Sequence, residues 1–246
     1  MYGTHRTRCQ SAGARTLIES TDRRADTTRA QILRAAAQQF ARRPFHEVGL
    51  DDILAAAELT KGAMYFHFRS KHALALAVIE EQLSHDRTAL RDLMGRKLSC
   101  LETVIDISYR TAVADVCTDS ARAVLRLLPA VGWTDGVQDR LLAEWTTTLA
   151  DVLERAAAEG DVVSGREPAD MARLLIALYL GLRQCGDLDD PVQFLGRVET
   201  CWTAVLPGMV VADRVAYFTQ FIRRRTALAI RTAAADSVAA TGGTGR

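Results

Sequence analysis

The chain has 246 residues and a formal net charge of +1, from 31 Lys and Arg against 30 Asp and Glu. That balance excludes a polyanion binder that is basic over its whole surface, so any nucleic-acid contact must come from local asymmetry. Apolar residues at 48% and charged residues at 25% exclude global disorder, and 16 Gly with 5 Pro are too few for an all-β chain.

The five cysteines, at 9, 100, 117, 185 and 201, form no CxxC and predict reduced thiols in a cytoplasmic protein. The longest apolar run, 174–182, is too short to cross a bilayer, and the first residues lack the apolar stretch of a secretion signal. Splitting the charge says more than summing it. Residues 1–75 hold twelve Lys and Arg against seven Asp and Glu, a net of +5, which leaves −4 for the rest. The two parts are expected to meet different partners.

In chain order, residues 1–26 are polar, Arg-bearing and aperiodic, and are expected to form a flexible basic arm. Ile32, Ala36 and Phe40 then recur every four residues, which predicts a helix over 27–43 with Thr27 or Thr28 as its cap and Pro44 at its end. Short helices are predicted at 50–57 and 61–67, and a long one at 71–94 that stops at Gly95. Further helices are predicted near 99–116, 119–130, 137–159, 168–186, 191–206 and 212–231, with breaks at Gly and Pro positions that include Pro207 and Gly208. The stretch 233–246 is small and Gly-rich and reads as a frayed, disordered tail. No strand-like alternation and no internal repeat stand out, so the expected fold is all-α.

Residues 27–74 form a three-helix unit. Ile32, Leu33, Ala36 and Phe40 of its first helix face Leu50, Ile53, Leu54 and Ala57 of the second, and Glu58, Leu59 and Thr60 make the turn into the third. Two helices joined by so short a turn are the helix-turn-helix arrangement, whose second helix enters the major groove of DNA. The run 59–68, LTKGAMYFHF, followed by Lys71 and Leu74, resembles the DNA-binding domain of the TetR family of repressors over 47 consecutive residues. Its YFHF variant is similar to the γ-butyrolactone receptor subgroup of actinobacteria. Three positions depart from the family's usual pattern: Pro44, Gly49 and Glu58, the last where a Gly is usual and where a left-handed turn would strain it.

The resemblance implies a set of DNA-facing residues. Thr60 and Lys61 stand at the start of the recognition helix, and Gly62 lets backbone approach DNA. Tyr65 and His67 are placed to donate to phosphate, and Lys71 to clamp one. Thr28 would bind phosphate with its hydroxyl and a free helix-terminal amide, and Arg29, with Arg23 and Arg24, would reach the backbone or minor groove. Phe66 and Phe68 are expected in the core. One short recognition helix reads few base pairs, so a homodimer on an inverted-repeat operator of double-stranded DNA is expected.

Residues 75–232 carry no GxGxxG, Walker loop, GxSxG or HExxH, and the five histidines make no metal spacing with the cysteines. Neither an enzyme, nor a cofactor, nor a metal site is expected. The segment holds all three tryptophans. The resemblance implies a ligand-binding and dimerisation domain in which Trp145 stacks over a small, mostly apolar effector of γ-butyrolactone type, with Trp202, Thr148 and Trp133 as further pocket candidates, Trp133 at the mouth. The run 174–182 is apolar all round, so either a second subunit or the protomer's own core must cover it. Two alternatives stay open at this point: an orphan receptor of the same subgroup answering to an antibiotic or other apolar metabolite, and a helical interaction protein with a weakened DNA head.

Overall fold

The computed structural model describes residues 10–134 and 136–242. Among the described residues ten helices run in order: α1 Gln10–Arg42, α2 Leu50–Ala57, α3 Lys61–His67, α4 Lys71–Met94, α5 Cys100–Cys117, α6 Asp119–Val131, α7 Val137–Ala158, α8 Pro168–Cys185, α9 Pro191–Met209 and α10 Val215–Gly242. A 3-10 turn, Ala212–Arg214, precedes the last. The one extended pairing among the described residues is an antiparallel bridge between Val162 and Val210. The all-α expectation holds.

Local chemistry sets most helix starts. Thr60 Oγ1 accepts from the Ala63 amide at 3.3 Å and Ser70 Oγ from the Ala73 amide at 3.0 Å. Ser99 and Glu102 form a reciprocal capping box at the start of α5. Pro168 and Pro191 occupy first-turn positions of α8 and α9, where a missing amide costs nothing.

The sequence reading needs correction at both ends and at one break. The arm expected over 1–26 is helical from Gln10 onward, while 1–9 and Cys9 with them lie outside the described residues. Apart from Gly13 the stretch 10–26 contains no helix breaker, and extending an existing helix costs far less than nucleating one. The tail expected from 233 continues α10 as far as Gly242, because its alanines are the strongest helix formers and Ala233 is buried in the core. Residues 243–246 lie outside the described residues. α9 passes through Pro207 to Met209 rather than ending before it. The lost backbone bond falls in the last turn, where Val163 N donates to the Met209 carbonyl at 2.9 Å and ties the end down.

Two cores result. In the first, Ile32, Ala36 and Phe40 of α1 close on Ile53 and Leu54 of α2, Met64 of α3 and Phe68. This core continues without a break into Leu74, Val78, Ile79 and Leu83 of α4 and into Val124 and Leu127 of α6. The second is built from α5, α7, α9 and α10 around Ile105, Leu153, Phe194 and Phe218. α4 is therefore packed in the head at its start and faces the body further along.

α8 settles the question that its sequence raised. Leu174 is 48% exposed, and Ala177 and Gly181 are also open. With Leu178 they follow helical spacing and share one face. The described residues of the protomer do not enclose this helix.

Candidate functional site

The first site is the surface of α3. Met64 is fully buried and anchors the helix, while Lys61, Gly62, Tyr65 and Phe66 point outward. Tyr65 is 54% exposed and Phe66 79%, so Phe66 belongs to the outer surface and not to the core as expected; Phe68, at 5%, is core. The reason is register: Met64 and Phe68, four apart, take the inward face, and Phe66 lies between them on the opposite side. His67 is half-buried between the Phe66 and Phe68 rings, with centroids 5.0 Å and 6.3 Å away. A Cβ built at Gly62 meets nothing nearer than Thr60 Oγ1 at 3.9 Å, so the fold does not require glycine there and its backbone lies bare on the outer face. Lys61 Nζ reaches Asp51 Oδ1 at 2.9 Å, and this pairing raises the Lys61 pKa. Both partners are exposed, so the pair contributes little and another anion can replace it.

The turn before α3 keeps the left-handed shape. Glu58 has φ 54° and ψ 40°, the one non-glycine residue with positive φ among the described residues. Gly49 caps α2 without a side chain; instead Asp52 Oδ2 accepts from the Gly49 amide at 3.0 Å. That hydrogen bond, with Arg43 beside it, holds the Asp52 carboxyl below the usual range.

Two of the expected DNA contacts are placed otherwise. Thr28 lies well inside α1, so its amide belongs to the helix ladder and offers no free donor. Lys71 Nζ donates to the Phe45 carbonyl at 2.9 Å and the Val48 carbonyl at 3.0 Å, and sits 4.4 Å from the centre of the Phe45 ring. It holds the α1–α2 loop onto α4 and does not face outward as a phosphate clamp. Arg29 lies over the Phe68 ring at 5.6 Å and 3.7 Å from Glu81 of α4. The side chains of Arg23 and Arg24 lie outside the described ones.

The second site is a cavity of about 370 Å³ between α4, α5, α7, α8 and α9, a volume suited to a small ligand. Trp145, Thr148 and Trp202 all line it. Trp202 is buried and gives its indole N–H to Ser108 Oγ at 2.8 Å, so it offers the cavity a ring face and no donor. Trp145 also walls a second cavity of about 540 Å³. Trp133 lines neither and is 64% exposed. Its loop carries it to the surface, so the expected role at the mouth is not supported.

Sequence reasoning missed the polar end of the first cavity. Arg183 Nη2 donates to Asp115 Oδ1 at 2.9 Å, Arg183 Nε lies 2.9 Å from Asp115 Oδ2, and the Tyr179 hydroxyl donates to Oδ2 at 2.7 Å. Gln82 Nε2 donates to Asp86 Oδ1 at 2.8 Å. Burial pushes the Asp115 carboxyl up, against the pull of Arg183 and Tyr179. Asp86 opens onto the cavity, yet the protein around it desolvates its carboxylate and raises its pKa too. The available signal was charge at helical core positions: Asp115 follows Ala112 by three residues and precedes Val116, both buried.

A family profile for bacterial regulatory proteins of the tetR family matches residues 32–78. The A-factor receptor protein of Streptomyces griseus is 29% identical over 195 residues, spanning 79% of this chain and 68% of that one. A crystal structure of a γ-butyrolactone receptor (ArpA-like protein) is 33% identical, with a TM-score of 0.70 over 82% of this chain and 98% of that one. The TetR family protein CprB from Streptomyces coelicolor, in complex with its operator sequence, is 30% identical with a TM-score of 0.71 over the same shares, 82% and 98%. On these likenesses the chain belongs to the TetR family of bacterial regulators, in its γ-butyrolactone-receptor type.

Proposed function

We propose that the protein is a ligand-responsive transcriptional repressor. A homodimer holds an inverted-repeat operator through its two α3 helices, and a small, mostly apolar effector of γ-butyrolactone type releases it. The observation that carries this reading is the double engagement of α4. Its first turns pack in the core that carries α3, and Gln82, Leu83 and Asp86 further along wall the cavity. An effector that prefers one position of α4 changes the separation of the two recognition helices, by no more than its differential affinity for the two states.

On this reading Thr60, Lys61, Gly62, Tyr65 and His67 meet DNA, Phe66 joins them, and Arg29 supports from α1. Lys61 exchanges Asp51 for a phosphate or a guanine edge. Trp145, Thr148 and Trp202 hold the effector. The second subunit covers the open face of α8. Support comes from the exposure of that face and of α3, and from relatives described as receptors of γ-butyrolactones or solved on an operator.

The test is a band shift on DNA from upstream of the protein's own coding sequence. The wild-type chain should retard it, Lys61→Ala should weaken binding, and alkyl γ-butyrolactones should release it. Retardation that Lys61→Ala leaves unchanged would overturn the α3 assignment. Operator affinity that no lactone alters at saturation would overturn the effector class.

A further inference from the structure

Phe66 is the most exposed large apolar side chain among the described residues, at 79%. It belongs to a helix whose outer surface divides in two. Lys61 and Tyr65, four apart, form a polar strip that ends in an ammonium and a hydroxyl. Gly62 and Phe66, also four apart, form a strip beside it whose side chains hold no donor and no acceptor. The Phe66 ring has a fixed neighbour: it stands at 90° to the His67 ring, with centroids 5.0 Å apart. One turn earlier, a Cβ on Gly62 would meet nothing nearer than Thr60 Oγ1 at 3.9 Å, so bare backbone faces outward beside the ring. The fold encloses neither residue, and the strip is open to a partner.

Resting on the α3 reading above, we propose that Phe66 is a specificity-determining residue that reads the methyl group of a thymine, one in each half of the operator. The methyl sits against the ring, and the bare backbone at Gly62 gives the base edge room to approach. Base edges in the major groove present donors, acceptors and a single apolar group, the thymine methyl. Phe66 can bond to none of the polar groups, and laying it on one removes water without replacing the lost hydrogen bond. Thymine under the ring is therefore favoured. Cytosine, which shows an amine donor and no methyl, is rejected. Lys61 and Tyr65 on the polar strip meet phosphate or guanine, so the two strips of one helix divide the work of positioning and of reading a half-site.

Replacing thymine with uracil removes the methyl and nothing else. DNA from upstream of the coding sequence is prepared with deoxyuridine at random in place of some thymidine and mixed with the full-length protein. Bound and free fractions are separated, and cleavage at uracil shows where its presence weakens binding. One thymine in each half-site, related by the two-fold axis, should be sensitive. A synthetic operator with uracil at both positions should bind wild type about fifteenfold more weakly, from about fourfold for each buried methyl. Phe66→Ala should bind the thymine operator more weakly and should bind the thymine and uracil duplexes alike, so the two changes are not additive. Phe66→Leu, which keeps an apolar group at that position, should retain the preference for thymine. Thermal denaturation of both variants checks that the fold is kept. If no thymine is sensitive in wild type, or if Phe66→Ala keeps the full discrimination, the thymine assignment is overturned while the α3 reading stands. If wild type retards no part of that DNA, the α3 reading falls and this inference with it.

Discussion

Replacing Lys71 with Met distinguishes a structural lysine from a DNA-binding one. Lys71 is the first residue of α4, where the helix dipole disfavours a cation, so its position needs compensation. That compensation is visible: two carbonyls at 2.9 Å and 3.0 Å and a ring face at 4.4 Å. Hydrogen bonds to a charged group contribute about 1.5–3 kcal/mol each, and an exposed cation–π contact about 0.5–1 kcal/mol. The site is half-buried, so water replaces part of this, and Met retains the packing of the stem. A loss of about 2–3 kcal/mol follows, or about 4–12 °C in Tm for a chain of this size. The assay is thermal denaturation of wild type and Lys71→Met at one fixed protein concentration, because Tm of a dimer depends on concentration. Band shifts over a range of salt form the second arm. A lysine that neutralises a phosphate contributes about 0.9 to the slope of log K against log salt, whereas a structural lysine contributes nothing. Unchanged Tm with a slope reduced by about 0.9 per protomer would refute the reasoning and restore Lys71 as a phosphate clamp.

Three further outcomes are expected. Glu58→Gly relieves the left-handed strain of about 1–2 kcal/mol, partly offset by glycine's backbone entropy; Tm should rise by about 1–4 °C, and operator affinity should increase as a negative charge leaves the turn. Leu174→Arg places a charge on the open face of α8, so sedimentation should show a monomer and operator retardation should be lost; a variant that stays dimeric places the interface elsewhere. Asp86 holds its proton more tightly in the folded chain than in the unfolded one. Its contribution to stability is therefore complete below the ordinary carboxylate range and is lost as pH rises through the raised folded value. Asp86→Asn removes that loss, so in urea denaturation the variant should gain on wild type from acid towards neutral pH, and a difference independent of pH would count against the assignment.

Much of the molecule was legible from local pattern. The span of α4, the starts of α2 and α3, and the core roles of Ile32, Phe40 and Ile53 follow from helical period, capping hydroxyls and turn residues. The left-handed turn at Glu58 was also legible, because the helix-turn-helix leaves that position little choice. Its errors have physical causes. Absence of apolar period was read as absence of helix at 10–26, although the extension of an existing helix needs only the lack of breakers.

The local pattern of residues determined which segments are helical and where the helix-turn-helix lies, because both depend on neighbours within a turn or two. Packing of distant segments decided the rest. Lys71 turns inward because Phe45 and Val48, more than twenty positions earlier, present their carbonyls to it. Asp115 meets Arg183 because α5 and α8 converge on one cavity. The face of α8 is open because no helix among the described residues reaches it. Charge pairing and burial at these places are sums over several elements, and no window along one helix contains them.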